Sequence, residues 1–312
     1  MAITEQQREE RKKFLGSSDM AALFTDDDGK SLDPFKTAAD VWALKTFTQE
    51  KGEKESKAMS IGHRYESALI EFARQELGME IITTPEKMRF ICKEHPLFAC
   101  NLDGKTITDQ PEIVEAKTTG LTSEWGEPGT DDVPYRVIVQ VHQQMLCTGM
   151  EKAHIAVLMG RFSLTEEMYV VNRDENIINA IIQRGEQFWN NYVLTKTPPP
   201  DSEVGNINVF KKIVRQPGSF ADVDENLISK WVEMRGLRIA TERAEKLSFA
   251  EILLHLGDAE GVTMSDGSMF TYLKQNGADL IDRKLLKANY PEVYDIISTP
   301  NAYRVARIKK GK

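Results

Sequence analysis

The sequence predicts an α/β fold, a central mixed sheet flanked by helices, followed by a mainly α-helical appendage that carries a β-hairpin. Three observations predict it. Ser60 to Leu77 sets Ile61, Tyr65, Leu69, Phe72 and Ala73 at helical spacing and stops at Gly78, a residue suited to the left-handed turn after a helix. Residues 79–118 abandon that period for short strand-like runs. A helical segment, 135–148, is then followed by two more strand runs and another helix, the alternation of an α/β domain.

Taken in order, the first 15 residues read as a polar, charged helix. Leu15-Gly16-Ser17-Ser18-Asp19 reads as an N-cap that starts a short apolar helix, Met20-Ala21-Ala22-Leu23-Phe24. Residues 25–35 are rich in turn formers. Thr37 is expected to cap a helix to about Phe47, and a charged segment runs from Gln49 to Lys57. The strand runs are Met79–Thr83, Met88–Ile91, Phe98–Leu102 and Ile113–Lys117. Residues 120–134 form a loop long enough to suggest function. Strands Ala153–Met159 and Glu167–Val171 follow helix 135–148, and Asp174 caps a helix to about Thr195. Pro198-Pro199-Pro200 is the expected boundary between a domain of residues 1–200 and a region of residues 201–312. There, Asp222 to about Leu256 reads as one long charged helix, and Gly261-Val262-Thr263 and Met269–Leu273 flank Ser265-Asp266-Gly267 as a hairpin. A short helix, Asp282–Asn289, and a last strand, Tyr303–Ile308, complete the chain.

Composition narrows the class. Apolar content of 41% and charged content of 28% are ordinary for a globular protein. No apolar run approaches the roughly 20 residues that span a bilayer. The N-terminus lacks the basic-then-apolar order of a signal peptide. Cys92, Cys100 and Cys147 are odd in number and widely spaced, and read as reduced, buried thiols of a cytoplasmic protein. The net charge is −8; residues 1–200 hold 23 basic and 32 acidic side chains, residues 201–312 hold 17 and 16. A nucleic-acid substrate therefore requires basic groups concentrated in a groove. No Gly-rich phosphate loop is present, so ATP hydrolysis is not expected, and the five histidines include no metal-binding pair.

The chemistry lies in Asp103 and the triplet Glu115-Ala116-Lys117. In a strand, Glu115 and Lys117 point to one side and Ala116 to the other. Two carboxylates with an ammonium beside them suit metal-dependent phosphodiester cleavage. Hard oxygen ligands favour Mg²⁺, with Mn²⁺ able to substitute, over Zn²⁺. Gln140, Gln143 and Gln144 share one helix face, and their apolar neighbours Val139, Val141, Met145 and Leu146 imply burial, where amides need partners. Glu66 by itself also reads as a solvated helix carboxylate. Arg11 and Ser18 flank a Gly-Ser-Ser turn, where a guanidinium and a helix-start hydroxyl can receive a terminal phosphate; a plain N-cap with a solvated arginine is the alternative. Trp125 either stacks on a base or packs back on the core.

Six segments in order carry a resemblance: Arg11 with Gly16-Ser17-Ser18-Asp19; Pro34-Phe35-Lys36-Thr37 with Val41-Trp42; Gly62-His63-Arg64-Tyr65-Glu66; Ala99-Cys100-Asn101-Leu102-Asp103-Gly104; Glu115-Ala116-Lys117; and Gln140-Val141-His142-Gln143. Residues 11–195 resemble a lambda-exonuclease-type (YqaJ-like) nuclease of the PD-(D/E)xK superfamily. The resemblance implies a restriction-endonuclease-like core in which Asp103 and Glu115 bind the metal and the Ala116 carbonyl adds a ligand. It implies that Glu66 is a second-metal or water-mediated ligand and that Lys117 orients or helps to deprotonate the attacking water. Gln140 would reach the active site or a substrate phosphate, and Arg11 and Ser18 would bind the 5′-phosphate of the end being degraded. The implied activity is Mg²⁺-dependent 5′-to-3′ hydrolysis of double-stranded DNA, leaving 3′ single strands for strand-annealing recombination. The implied partners are DNA ends, a phage-type single-strand annealing protein and further copies in a trimeric ring.

Two rivals stay open. One is a structure-specific or restriction-like endonuclease on the same core; the other is a catalytically silent DNA-binding or interaction module. An iron–sulfur nuclease is disfavoured, because three scattered cysteines cannot supply four thiolates. Residues 201–312 resemble an extension seen after some phage nucleases. They carry no catalytic constellation, and assembly or partner contact is the expectation for them. The basic tail Arg304, Arg307, Lys309 and Lys310 reads as a DNA contact or a solvated end.

Overall fold

The computed structural model describes residues 9–50, 57–84, 88–160, 163–200, 205, 207–277, 281–298 and 306. The chain divides into two units, Met1–Ser219 and Phe220–Lys312. In the first unit the order is β1 (Leu15–Gly16), α1 (Ser17–Met20), α2 (Ala38–Thr46), α3 (Lys57–Leu77), β2 (Ile81–Ile82), β3 (Arg89–Ile91), β4 (Phe98–Asn101), β5 (Gly104–Thr106), β6 (Ile113–Thr119), α4 (Tyr135–Thr148), β7 (Lys152–Gly160), β8 (Leu164–Asn172), α5 (Glu175–Phe188) and α6 (Ile207–Lys211).

Five strands form the main sheet in the order β2-β5-β6-β7-β8. Neighbours run antiparallel except β6 and β7, which are parallel because α4 carries the chain back between them. The sheet is therefore mixed and flanked by helices, as predicted. Strand β7 is buried along most of its length, and its residues are apolar on both faces, as expected of a covered central strand. On one face, Leu69, Ile70 and Ala73 of α3 meet Ile81, Val114 and Ala156. On the other, Val137, Val141 and Met145 of α4 and Ile178, Ile181 and Phe188 of α5 join Ile113, Ile155 and Val157. A smaller sheet, β1-β4-β3, ties the N-terminal segment to the strand that precedes Asp103.

Local chemistry sets most boundaries. Thr37 and Asp40 form a reciprocal capping box at the start of α2. Gly149, at φ 74°, closes α4 and returns its N–H to the Met145 carbonyl. The Asp174 side chain accepts the Asn176 N–H to start α5. A Cβ on Gly185 would stand 2.4 Å from the Phe98 ring, so the bare glycine lets α5 settle on β4.

Several expectations are corrected. Strand β5 was not predicted; its three residues are too few to show a period. The Leu15–Asp19 segment is not a side-chain cap: Leu15 and Gly16 are strand, and no side-chain bond caps α1. Asp19 instead lies between two lysines that come from residues far along the chain. The buried stripe of α3 is Leu69, Ile70 and Ala73, while Ile61 and Tyr65 are exposed. The division of the chain falls after Ser219, not at the proline run. Ile213 is buried and pairs with Gln49, so the segment beyond the prolines returns to the first unit.

Cys92, Cys100 and Cys147 are free and buried. The Cys147 side chain and burial push the Cys100 thiol upward, so it stays protonated. Among the described residues, no helix is long and apolar enough to cross a membrane. In the second unit, α7 (Glu225–Leu256) is capped by Asp224, and β9 (Gly261–Thr263) and β10 (Met269–Thr271) form the expected hairpin. They are followed by α8 (Arg283–Asn289) and α9 (Pro291–Ile297). The predicted strand at Tyr303–Ile308 and the basic tail fall outside the described residues, Ala306 apart.

Candidate active site

Strand alternation places Glu115 and Lys117 on the α4 side of β6, and Val114 and Ala116 on the α3 side. Glu115 is only 2% exposed, and a carboxylate at that depth requires partners. It has three. Lys117 Nζ donates to Oε1 at 2.6 Å, Gln140 Nε2 to the same oxygen at 2.5 Å, and Gln144 Nε2 to Oε2 at 2.7 Å. Lys117 Nζ also donates to Gln140 Oε1 at 2.9 Å, closing a ring of three side chains. An amide between an ammonium and a carboxylate has one sensible orientation, oxygen to the cation and nitrogen to the anion.

Asp103 sits at the corner between β4 and β5, where Oδ2 accepts the Ala116 N–H at 2.9 Å. Strand β5 pairs with β6 only as far as Val114. Beyond that point the edge of β6 is free to meet a side chain, and Asp103 supplies it. Gly104 is needed beside it, since a Cβ there would stand 2.8 Å from Ile81. Burial, and then the Glu115 charge, push the Asp103 carboxyl up to about 8, against the pull of Lys117 and the Ala116 N–H; Glu66 adds to the rise. Burial opposes the Lys117 ammonium, but Glu115 and Asp103 outweigh it and raise its pKa. Lys117 is therefore a cation at neutral pH.

Asp103, Glu115, Ala116 and Lys117 line a cleft of about 300 Å³ together with Gly62, His63 and Glu66 from α3. Glu66 is half-buried and continues the stripe of Leu69, Ile70 and Ala73 that faces the sheet, so it is no free-standing surface carboxylate. Among the described residues, no three ionisable ligands converge on one point. Two carboxylates in one cleft, one of them held protonated by burial and by the other's charge, nevertheless form a hard-oxygen donor set that a divalent cation would relieve. Small hard cations complete such sites with water and substrate oxygens and need no all-protein cage.

The other predicted residues have different places. Gln143, fully buried, donates to the carbonyls of Leu15 at 2.9 Å and Ala99 at 3.1 Å, and so clamps β1 to β4. Arg11 and Ser18 are exposed and are not among the residues that line the cleft. They lie at a second cluster. Lys45 Nζ donates to the Arg11 carbonyl and Asp19 Oδ2, and Lys36 Nζ to the Ser18 carbonyl and Asp19 Oδ1. Burial works against the Asp19 charge, but Lys45 and Lys36 hold its carboxyl far below the usual range. His142 is tied by its own ring nitrogens, accepting the Asp174 N–H at Nε2 and donating from Nδ1 to the Ile138 carbonyl. Trp125 packs inward, 6% exposed with its ring 5.1 Å from that of Tyr169, and offers no stacking platform.

Residues 7–151 match the family model of the YqaJ-like viral recombinase domain. Over these residues the chain is similar to that domain. The uncharacterized protein YqaJ of Bacillus subtilis (strain 168) is 26% identical over 311 residues, covering 96% of this chain and 92% of that protein. Among solved structures, the alkaline exonuclease LHK-Exo from Laribacter hongkongensis has a TM-score of 0.47 at 17% identity, over 62% of this chain and 94% of that one. A phage-related exonuclease from Haemophilus somnus 129PT has a TM-score of 0.44 at 14% identity, over 59% and 95%.

Gln144 is the residue whose role sequence reasoning missed. Its helix face and burial were legible, but nothing local indicated that it would reach Glu115. The signal was the apolar setting, which obliges each amide to find a specific partner.

Proposed function

We propose that the chain is a Mg²⁺-dependent 5′-to-3′ double-strand DNA exonuclease that leaves 3′ single strands for phage-type strand-annealing recombination. The observation that carries this reading is the convergence of Asp103, Glu115 and Lys117 on one cleft, with Gln140 bonded to Lys117 and Glu115 behind them. Asp103 and Glu115 would hold the ion. The Ala116 carbonyl, on the residue whose N–H is given to Asp103, would add a third oxygen. Glu66 would reach the ion through water. Mg²⁺ held there would supply Lewis acidity, lowering the pKa of water and offsetting charge on the scissile phosphate.

The chain's own residues do the rest. Lys117, protonated and fixed by Glu115 and Gln140, is an electrostatic support for phosphate charge rather than a base that removes a proton. Gln140 sets the Lys117 ammonium in place through its carbonyl oxygen. Arg11 and Ser18, on the segment clamped to β4 by Gln143, are assigned to the 5′-phosphate. Duplex DNA ends, a single-strand annealing protein and a trimeric ring are the partners of this reading, and the cytoplasm is its setting.

The test is digestion of linear duplexes bearing a 5′-phosphate or a 5′-hydroxyl, with Mg²⁺ or with a chelator, by wild type and Lys117→Ala. Wild type should shorten the 5′-phosphorylated strand only with Mg²⁺, and the variant should lose at least about 100-fold in rate. Cutting of closed circular DNA would identify the endonuclease instead. Equal activity of the variant would remove Lys117 from the site.

A further inference from the structure

Arg136 lies one turn before Gln140 on α4, so the two side chains leave the same side of the helix. Gln140 reaches Lys117 and Glu115, two of the residues that line the cleft. Arg136 therefore leaves α4 on the side from which Gln140 reaches Lys117. Each of the two cations has its own carboxylate partner. Lys117 has Glu115; Arg136 has the Glu124 carboxylate.

The two ion pairs differ in kind. Glu115 is buried and part of the core hydrogen-bond network. The Glu124 side chain is 41% exposed, and Arg136 is 19% exposed. Glu124 ends the single turn Thr122–Glu124, and the next residue, Trp125, anchors that turn against Tyr169. The Tyr169 hydroxyl donates to the Gly126 carbonyl, which holds the same stretch. The loop is thus seated without the ion pair. What the pair does is neutralise a guanidinium beside the cleft, where its planar fork matches the two free oxygens of a phosphodiester.

We propose that Arg136 binds a backbone phosphate of the DNA strand entering the cleft, and that Glu124 occupies that phosphate's place until the strand displaces it. The proposal rests on the nuclease reading above. Displacement exchanges one monoanion for another on the same fork, and an exposed pair gives up little when it opens. The arrangement also fits an acidic protein: in the free state the guanidinium is masked, and it becomes available only to an anion delivered into the cleft.

The experiment measures binding of a fluorescent linear duplex against KCl concentration, with Ca²⁺ in place of Mg²⁺. The proteins are wild type, Arg136→Gln, Glu124→Gln and the double variant, each checked by thermal melting. Glu124→Gln should tighten binding by up to about five-fold, the range of an exposed ion pair. Arg136→Gln should weaken binding and reduce the slope of log Kd against log salt by about one. The double variant should match Arg136→Gln, because Glu124 acts only through Arg136. Weaker binding in Glu124→Gln would make the pair a loop staple and overturn the proposal. So would wild-type affinity and salt slope in Arg136→Gln. If the wild type neither binds nor shortens duplex DNA, the nuclease reading fails and this one with it; if it does both while the variants are silent, only this proposal fails.

Discussion

Replacing Gln144 with Met separates the hydrogen bonds of this residue from its volume, since the two side chains have similar size and shape. Gln144 is fully buried and Glu115 2% exposed, so water cannot rescue the carboxylate oxygen that the amide now serves at 2.7 Å. A hydrogen bond to a charged group contributes about 1.5–3 kcal/mol, and losing it leaves Oε2 unpartnered at full cost. The second contact, Gln144 Nε2 to the Asn101 carbonyl at 3.4 Å, is long and adds little. Urea unfolding of the metal-free protein should therefore show a loss of about 1.5–3 kcal/mol with an unchanged slope. The same substitution frees Glu115 to turn, and under the proposed role of Glu115 as a metal ligand the loss of this outer partner should lower metal affinity about 10–100-fold. Calorimetric titration with Mn²⁺ and the Mg²⁺ dependence of the rate would read that shift, with the rate at saturating metal falling less than the affinity. Unchanged stability and unchanged metal dependence together would refute the assignment of Gln144 as the residue that positions Glu115.

Three further outcomes are expected. The Asp103 carboxyl, raised to about 8, should lose its proton when metal binds, so apparent metal affinity falls as pH drops below about 8; pH-dependent metal titration checks this, and Asp103→Asn should abolish the proton release. A raised carboxylate pKa contributes stability that is fully present below the unfolded value of 3.8 and lost as pH rises through 8. The metal-free wild type should therefore lose stability relative to Asp103→Asn between pH 5 and pH 9, by chemical denaturation at each pH. Gly185→Ala puts a methyl group 2.4 Å from the Phe98 ring and should cost about 1–3 kcal/mol in a thermal melt, with the residues of the cleft untouched.

Much of the site was legible because it rests on periods that covalent geometry imposes. A strand repeats every two residues, so Glu115 and Lys117 had to share a face wherever β6 lay. A helix repeats every 3.6, so Gln140, Gln143 and Gln144 had to share a side, and α4 begins and ends where the pattern said. The caps at Thr37 and Asp174 were legible for the same reason, since each bond spans only a few residues. The misses are of another kind. Strand β5 exists because β2 and β6 stand on either side of it, not because Gly104-Lys105-Thr106 prefers to be extended. Asp19 looked like a cap until Lys36 and Lys45 returned from 17 and 26 residues away.

The sequence by itself determined which residues could act together: the carboxylates, the lysine and the glutamines, each placed on its own strand or helix face by local geometry. The tertiary structure decided which of them meet. It turned Glu66 toward the sheet, gave Gln144 to Glu115 and Gln143 to the β1–β4 clamp, sent Trp125 into the core and set Arg136 against Glu124. The physical reason is that periodicity belongs to the bonded chain. The partner of a buried polar group depends on which distant segment the fold brings within about 3 Å of it.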